Sequence, residues 1–573
     1  MVSGLIVPLL RHGPDVNKAI TNKACLGICL AAGALAFIGC TFFPQPKAGR
    51  QDSAQSRPIH HQYQKDQRIF NLSKGEFDAQ IIHSGKGRGD LFANDRSQIG
   101  YSLLCADLNG DGIEDIVVGA PPPVGLLKQA RNSGVVYVLL GKRKIPRIWD
   151  LARADWILYM PKSQMSTRFG HSLAAGDLNG DGIQDLMIGA PHANTVRKKQ
   201  FRAGEVYVVF GRKQFSGTQN ILRSADLIVS GHEVSQEAGF ALSSGDINGD
   251  GLDDLLIGAP GANRNGKVMA GHTYVIFGRK NFPRKLSLST GWDVRLVGVD
   301  GPNSYFVNFD HPPDRSGSAL AVGDINHDGL KDIIIGAPFA NGPDNDRTGA
   351  GEVYVVFGRK RFPRNIELEA EADLTFWGAL KHGHAGFSLG IGDVNGDQVD
   401  DLVIGTADSR EPDEKKPKVA AFMVYGRKGL PHHVDLRNEA DRILTDAEAV
   451  VEAPQNPMEN LNRGYSVAAV DFNQDGLADV LLGAPSSIQK INKTAYLVWG
   501  KKRAPRWKNL NRDFDGIIFQ QSSVTRWKPA VAAGDVNGDG WTDLLIRAAD
   551  PKRDSGKESI FIILGRNLSP PLN

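Results

Sequence analysis

Short apolar runs alternate with polar turns along most of the chain. In one unit, the small-residue run "GHSLAAG" precedes an acidic loop, and an apolar run ending in Gly-Ala-Pro follows it. Next come an aromatic-rich run ending in Gly and a basic residue, and a fourth run such as "DLIVSG". Short runs of β-branched and aromatic residues bounded by Gly, Asp and Asn are typical of strands. The pattern therefore predicts units of four short strands.

This unit recurs seven times. The acidic loops begin at Asp107, Asp177, Asp246, Asp324, Asp393, Asp471 and Asp535. Their starts are 70, 69, 78, 69, 78 and 64 residues apart. Repetition of a four-stranded unit is typical of a propeller blade or a solenoid coil.

The two ends of the repeat region favour a closed ring. The seventh unit has no fourth run after "ESIFIILGR", whereas residues 77–84, "FDAQIIHS", look like a fourth run placed before the first unit. An N-terminal strand that completes the last blade would remove an exposed sheet edge. We therefore predict an all-β fold, a seven-bladed β-propeller of four-stranded antiparallel blades closed by this strand.

The acidic loops predict calcium binding. Positions 1, 3, 5 and 9 of each loop are Asp, Asn, Asp and Asp. Calcium takes six to eight oxygen ligands from carboxylates, amides, carbonyls and water. The loop opens like an EF-hand loop, but position 12 of the first copy is Val118 rather than Glu, and an apolar strand follows instead of a helix. The alternative is a plain Asx/Gly hairpin turn.

Up to seven calcium ions are expected. The predicted ligands are Asp107, Asn109, Asp111, Asp115, Asp177, Asn179, Asp181, Asp185, Asp246, Asn248, Asp250, Asp254, Asp324, Asn326, Asp328, Asp332, Asp393, Asn395, Asp397, Asp401, Asp471, Asn473, Asp475, Asp479, Asp535, Asn537, Asp539 and Asp543. The carbonyl of position 7, Ile113 in the first copy, would add a ligand. Gln398 replaces the glycine of position 6 in the fifth loop, so that loop should be strained or weaker.

Three features together resemble a known repeat. They are the paired Phe and Gly ahead of the loops (Phe169–Gly170, Gly239–Phe240, Gly386–Phe387), the Asp/Asn loops and the "GAP" tripeptides. The units resemble FG-GAP repeats of the integrin α-subunit N-terminal propeller, and the propeller region of GPI-specific phospholipase D is similar. The resemblance implies a ligand-binding face opposite the calcium loops. Integrin α chains usually carry three or four calcium loops, fewer than the seven here.

The N-terminus carries targeting information. Residues 24–43 form an uncharged, mostly apolar segment that ends near "AFIGC". This segment resembles a lipoprotein signal with lipidation at Cys40, and a plain membrane anchor or a cleaved export signal are the alternatives. The predicted organisation is a signal or anchor at 1–43, a polar linker at 44–75, the propeller at 76–566 and a tail at 567–573. The protein is expected to be exported and membrane-anchored, at the cell surface or in the periplasm.

Composition excludes one class of partner. The formal net charge of the 573 residues is only +3, which supports neither a nucleic-acid footprint nor a polybasic membrane patch. Of the four cysteines, Cys105 alone lies in the repeat region, where we expect a buried small residue rather than a disulfide.

The loops on the face opposite the calcium loops vary in length and are the candidates for ligand binding. The long stretch 301–316 supplies the candidate ligand-binding residues Tyr305, Phe306, Phe309, His311 and Arg315. His192 is interpreted as part of a solvated loop. We predict a non-enzymatic binding or adhesion module for an extracellular protein or glycan. The alternatives are a calcium-dependent hydrolase or lyase and a purely structural envelope protein.

Overall fold

Each acidic loop joins the first two strands of its own sheet, and seven such sheets form a β-propeller. The computed structural model describes residues 68–84, 98–122, 133–161, 167–194, 201–299, 313–407, 418–446, 464–484, 493–519, 530–549 and 558–565. All of these lie in one unit, Tyr63–Asn573. The segment with Cys40 lies outside the described residues. Within them, no helix is long and apolar enough to cross a membrane.

Four antiparallel strands make up each blade, as predicted. The first strands are Ser102–Ala106, Leu173–Gly176, Ala241–Gly245, Ala319–Gly323, Ser388–Gly392, Ser466–Val470 and Val531–Gly534. The second strands are Asp115–Ala120, Asp185–Ala190, Asp254–Ala259, Asp332–Ala337, Asp401–Gly405, Asp479–Gly483 and Asp543–Ala549. The third strands are Val135–Leu139, Glu205–Val209, His272–Ile276, Glu352–Val356, Lys418–Val424, Lys493–Val498 and Glu558–Ile563. The fourth strands are Trp156–Tyr159, Leu227–Ser230, Val294–Val297, Leu374–Trp377, Arg442–Asp446, Gly516–Phe519 and, for blade 7, Ala79–Ile82.

A fifth, parallel strand covers the outer edge of every blade and was not predicted. In blades 1 to 5 and in blade 7, it comes from the connection between the third and fourth strands of the next blade in the ring. The fifth strands are Gly217–Asn220, Lys285–Ser287, Asn365–Glu367, His433–Asp435, Trp507–Asn509, Arg68–Asn71 and Ile148–Asp150. Such a strand pairs an edge that would otherwise be open to another chain.

Single-turn helices follow most of these outer strands. The α-helices are Ile221–Ser224, Leu368–Glu371 and Leu436–Glu439, and the 3-10 helices are Leu72–Lys74 and Leu151–Arg153. A further 3-10 helix, Pro343–Asn345, lies instead between the second and third strands of blade 4. The last residue of the preceding strand caps the helix in several cases. Asn220 and Asp435, for example, accept the backbone N–H of the residue two positions later.

The N-terminal segment closes the ring, as predicted. Ala79–Ile82 pairs antiparallel with Glu558–Ile563 and becomes the fourth strand of blade 7. Asp78 Oδ2 accepts the backbone N–H of Leu564 at 2.9 Å, across almost the whole sequence. Arg68–Asn71 also pairs with blade 6, in parallel with Gly516–Phe519. These four residues lie within 44–75, the predicted polar linker, so from Arg68 onward the chain is part of the propeller.

The hydrophobic core lies between neighbouring blades. One cluster joins Val117 and Trp156 of blade 1 to Leu186 and Tyr207 of blade 2, and six similar clusters follow around the ring. The first strands of successive blades contact one another around the central axis. Small residues are needed there: a Cβ added at Gly176 would lie 2.7 Å from Ser244 Oγ.

Candidate functional site

Each acidic loop is closed by its own carboxylates. In the first loop, Asp107 Oδ1 accepts the N–H groups of Gly110 and Asp111 at 2.7 and 3.2 Å. Asp107 Oδ2 accepts the N–H of Gly112 at 2.8 Å, and Asp111 Oδ1 accepts that of Ile113 at 2.9 Å. The side chain at position 1 therefore sets the turn in the way that an Asx turn does.

The aspartate at position 9 also has a structural role that was not predicted. Asp115 Oδ2 accepts the N–H of Leu108 at 3.1 Å, and its Oδ1 accepts that of Gly141, just after the third strand, at 2.8 Å. The same pair of hydrogen bonds occurs in all seven blades. This aspartate fastens the acidic loop to the end of the third strand. That role explains why position 9 recurs, whether or not a metal binds.

Burial strongly affects this carboxylate. The seven position-9 residues, Asp115, Asp185, Asp254, Asp332, Asp401, Asp479 and Asp543, have no exposed surface. Burial raises the pKa of Asp115 to about 7, and the nearby charges of Asp111 and Asp107 act in the same direction. The other six aspartates have pKa values raised to about 7 or 8 for the same reason.

The Gly–basic pair after the third strand connects each of blades 1 to 6 to the preceding blade. A Cβ at Gly211 would lie 2.5 Å from the Gln184 carbonyl oxygen, so glycine is needed there. The next residue, Arg212, donates its backbone N–H to the carbonyl of Leu108 in the preceding blade, at 3.0 Å, and its guanidinium pairs with Asp226. This role of the pair was not predicted.

Calcium binding by the acidic loops stays a prediction. Among the described residues, no group of three or more His, Cys, Asp or Glu side chains is arranged to hold a metal ion. The carboxylates of positions 1 and 5 accept backbone N–H groups instead. The donor chemistry nevertheless fits a hard cation, since each loop offers three carboxylates and an amide. Gln398 adopts φ 67°, the left-handed conformation that glycine provides in the other six loops.

The opposite face carries a second set of unusual residues. In blades 2 to 5, a recurring glycine lies shortly before the first strand. The residue two positions before that glycine is Arg168, Glu237, Arg315 or His384, in that order of blades. Their φ angles are 58°, 59°, 55° and 48°, and their side chains are buried. Left-handed residues other than glycine are strained and cluster at functional sites. This position precedes the first strand, so it lies at the end of the channel away from the acidic loops, which we call the channel mouth.

A charged cluster joins three blades at the channel mouth. Arg315 Nη2 donates to Glu237 Oε2 at 2.7 Å, with side-chain exposures of 6% and 12%. His192 Nε2 lies 3.7 Å from Glu237 Oε1. The His192 side chain is only 11% exposed, so the interpretation as a solvated loop was wrong.

The surroundings lower the pKa values of both His192 and Glu237. Burial lowers the pKa of His192 to about 3, and the positive charges of Arg168, Arg202 and Arg315 add to this effect against the attraction of Glu237. Burial alone would raise the pKa of Glu237, but the attraction of Arg315 and its hydrogen bond outweigh burial and lower it. At neutral pH, the imidazole is therefore neutral and the carboxylate is charged.

Of the five predicted ligand-binding residues, only Arg315 lies among the described residues. It belongs to the charged cluster and is not part of an exposed loop. Tyr305, Phe306, Phe309 and His311 lie outside the described residues.

Known proteins match this repeat. The family described as FG-GAP repeat matches residues 99–139, 169–209, 238–276, 316–356, 463–498 and 529–559. The chain carries six FG-GAP repeats. They correspond to blades 1 to 4, 6 and 7. Blade 5, which the six ranges do not include, is the one with Gln398 in its acidic loop.

The relatives of this chain include a phospholipase D and integrin alpha subunits. The phosphatidylinositol-glycan-specific phospholipase D of Bos taurus is 33% identical over 279 residues, 48% of this chain and 30% of the relative. Integrin alpha-PS2 of Drosophila melanogaster is 32% identical over 243 residues, 41% of this chain and 16% of the relative. The chain thus spans less than a third of the length of either relative. Among solved structures, rhamnogalacturonan lyase PL11 of Bacillus licheniformis is 10% identical, with a TM-score of 0.40 over 85% of this chain and 75% of the lyase.

Proposed function

We propose that this FG-GAP protein is an exported, membrane-tethered, calcium-binding module that binds an extracellular protein or glycan through its channel mouth. The observation that carries this proposal is the concentration of buried charges and strained backbone at the channel mouth, where Arg168, Glu237 and Arg315 occupy equivalent positions of successive blades. A fold that needed only stability would have little use for them.

Further features support this face. Phe201 and Val234 are large apolar side chains that are 56% and 46% exposed, and they belong to neighbouring loops, since Ser235 donates its N–H to the Phe201 carbonyl at 2.8 Å. A groove of about 420 Å³ lies on the same face between blades 3 and 4. Its lining residues are Arg264, Asn265, Lys267, Val299, Asn345 and Glu369. Exposed apolar groups beside polar grooves are common at binding surfaces.

Calcium would stabilise the face that carries the acidic loops, which lies opposite the channel mouth. The side chains at positions 1, 3, 5 and 9 of each loop and the carbonyl at position 7 would hold it. When bound, calcium would supply the positive charge that three crowded carboxylates lack.

The hydrolase or lyase alternative is less well supported at this site. A general base works best with a pKa near the operating pH. The pKa of His192 is lowered to about 3 and that of Glu237 is also lowered, so both are weak bases at neutral pH. The match to a phospholipase D covers less than a third of that enzyme and supports only the shared repeat.

An array of glycans and extracellular proteins, probed with the full chain in calcium and in EDTA, tests the proposal. We expect at least one hit that is weakened by Phe240→Ala at the channel mouth. Arg427→Gln, which alters a half-exposed arginine near the acidic loops, is the matched control and should leave the hit unchanged. Absence of any hit in calcium, or equal effects of both substitutions, would contradict it.

A further inference from the structure

An arc of three rings crosses the channel mouth. Tyr101, His171 and Phe240 each follow the glycine that precedes the first strand, in blades 1, 2 and 3. Their ring centroids are 4.9 Å apart from Tyr101 to His171 and 4.8 Å apart from His171 to Phe240. His171 is buried, while Tyr101 and Phe240 keep part of their surface exposed. The repeat thus places one ring per blade side by side, with Tyr101 and Phe240 partly exposed on either side of the buried His171.

A guanidinium group lies at each end of this arc. The Arg168 guanidinium is 5.0 Å from the Tyr101 ring, and the Arg315 guanidinium is 5.5 Å from the Phe240 ring. Both arginines have left-handed backbone conformations and are 9% and 5% exposed. Stacking on a ring fixes the plane of a guanidinium and leaves its N–H groups to point outward from its edge.

Positive charge exceeds negative charge at this site. Three positive charges, those of Arg168, Arg202 and Arg315, and the negative charge of Glu237 act on His192. Asp314, the buried residue before Arg315, adds a second carboxylate. In the part of the chain that the structure describes, Nε of Arg168 and Nε of Arg315 have no hydrogen-bond partner. Buried N–H groups of a cation without an acceptor are costly. Because these Nε atoms are buried, a negatively charged ligand beside each guanidinium would offset that cost through its charge rather than by bonding to Nε.

We propose that the arc formed by Arg168, Tyr101, His171, Phe240 and Arg315 is a binding site for a polysaccharide that carries carboxylates, of the uronic acid class. The inference rests on the proposed function, since it names the ligand of that face. Carboxylates pair with guanidinium groups in two-pronged hydrogen bonds. The apolar face of a sugar ring fits the aromatic surface between them. An acidic peptide would supply the carboxylates without a ring to cover the arc.

Calorimetry with the full chain tests this proposal. The probes are a short oligogalacturonate, too short to gel with calcium, and its methyl ester, which has the same rings without the charges. We expect the acid to bind, and the ester to bind at least about tenfold more weakly, because each charge-assisted hydrogen bond is worth a factor of this order. Equal binding of acid and ester would overturn the proposal without any variant.

Two substitutions locate the site. Arg168→Gln should weaken binding of the acid by about tenfold or more while leaving binding of the ester unchanged. The matched control is Arg212→Gln, an arginine on the acidic-loop face that is 46% exposed and should have no effect. If Arg168→Gln does not fold, Tyr101→Leu, which keeps an apolar side chain but removes the ring, should weaken both probes. Unchanged binding by the folded variant would overturn the proposal.

Other outcomes separate this inference from the proposed function. Tighter binding of polyglutamate than of oligogalacturonate would overturn the glycan assignment while supporting the binding face. A hit on the array that is lost with Phe240→Ala, together with no binding of oligogalacturonate, would likewise overturn the glycan assignment and support the binding face. No hit and no binding of either acid would contradict both.

Discussion

The buried pair between Arg315 and Glu237 allows a quantitative prediction. The two side chains are 6% and 12% exposed and are joined by a hydrogen bond of 2.7 Å. Arg315→Ala leaves the Glu237 carboxylate buried beside His192 with Arg202 as its remaining strong positive neighbour. Removing one partner of a buried ion pair costs about 3–5 kcal/mol, so we expect the free energy of unfolding to fall by that order.

A second substitution should restore most of that loss. In Arg315→Met/Glu237→Gln, both charges are gone, and replacing a buried pair with neutral groups of similar size is often nearly neutral. Thermal and urea unfolding of the wild type, Arg315→Met, Glu237→Gln and the double variant complete a double-mutant cycle. Arg212→Ala is the control: its pair with Asp226 is 46% and 31% exposed, so the expected cost is about 0–1 kcal/mol.

The pH dependence of the same variant gives an independent check. The lowered pKa of Glu237 in the wild type contributes stability above its unfolded value of about 4.5, and this is lost as pH falls. Without Arg315, burial should raise that pKa, so the variant should gain stability relative to the wild type on acidification from pH 7 to pH 4. A cost for Arg315→Ala no larger than that for Arg212→Ala, with an unchanged pH profile, would refute this account of the cluster.

Four further predictions follow from the ring and its loops. His192 has a folded pKa of about 3 against about 6.5 unfolded, so acidification to pH 4.5 should cost the wild type roughly 2–3 kcal/mol that His192→Gln does not lose, as measured by urea unfolding. Deletion of residues 1–67 should leave the oligomeric state of the protein unchanged, whereas deletion of 1–85 exposes edges of blades 6 and 7 and should cause aggregation visible by light scattering. EDTA should lower the melting temperature and calcium restore it, with Asp250→Ala less responsive to calcium; a melting temperature indifferent to EDTA would mean that the loops are only turns. Gln398→Gly should stabilise by about 1 kcal/mol in thermal unfolding, since it removes a left-handed non-glycine residue.

The repeating pattern was sufficient to predict the ring of blades. Each unit has four apolar runs, and their side chains pack against a neighbouring blade. Closure by the N-terminal strand could also be predicted, since "FDAQIIHS" carries the same Asp before its apolar run that Asp155 and Asp226 provide elsewhere. The fifth strands could not be predicted. Gly217–Asn220, for example, reads "GTQN" and has no apolar alternation, so only pairing with the next blade makes it a strand.

The charged cluster was beyond the reach of sequence patterns for a different reason. Glu237 and Arg315 are 78 residues apart, and nothing local marks either as buried. His192 stands next to a basic run, which favours a solvated interpretation until the ring brings Glu237 beside it. The left-handed backbone at these positions also could not be predicted, because Arg, Glu and His are not typical of that conformation as glycine is.

The two ends of the channel differ in how much the fold constrains them. At the acidic-loop end, position 9 must accept two backbone N–H groups in every blade, and only a short carboxylate or a close analogue can do so; all seven copies have Asp. At the channel mouth, the position three residues before Tyr101 in blade 1 holds Gln98. The same position in blades 2 to 5 holds Arg168, Glu237, Arg315 and His384. Among these five described residues, no shared side-chain hydrogen bond requires one residue type, so the fold permits the chemistry to differ from blade to blade. A repeat protein that binds an asymmetric ligand needs such freedom at one end and uniformity at the other. The position of the charged cluster at the variable end is therefore the strongest reason to look for the ligand there.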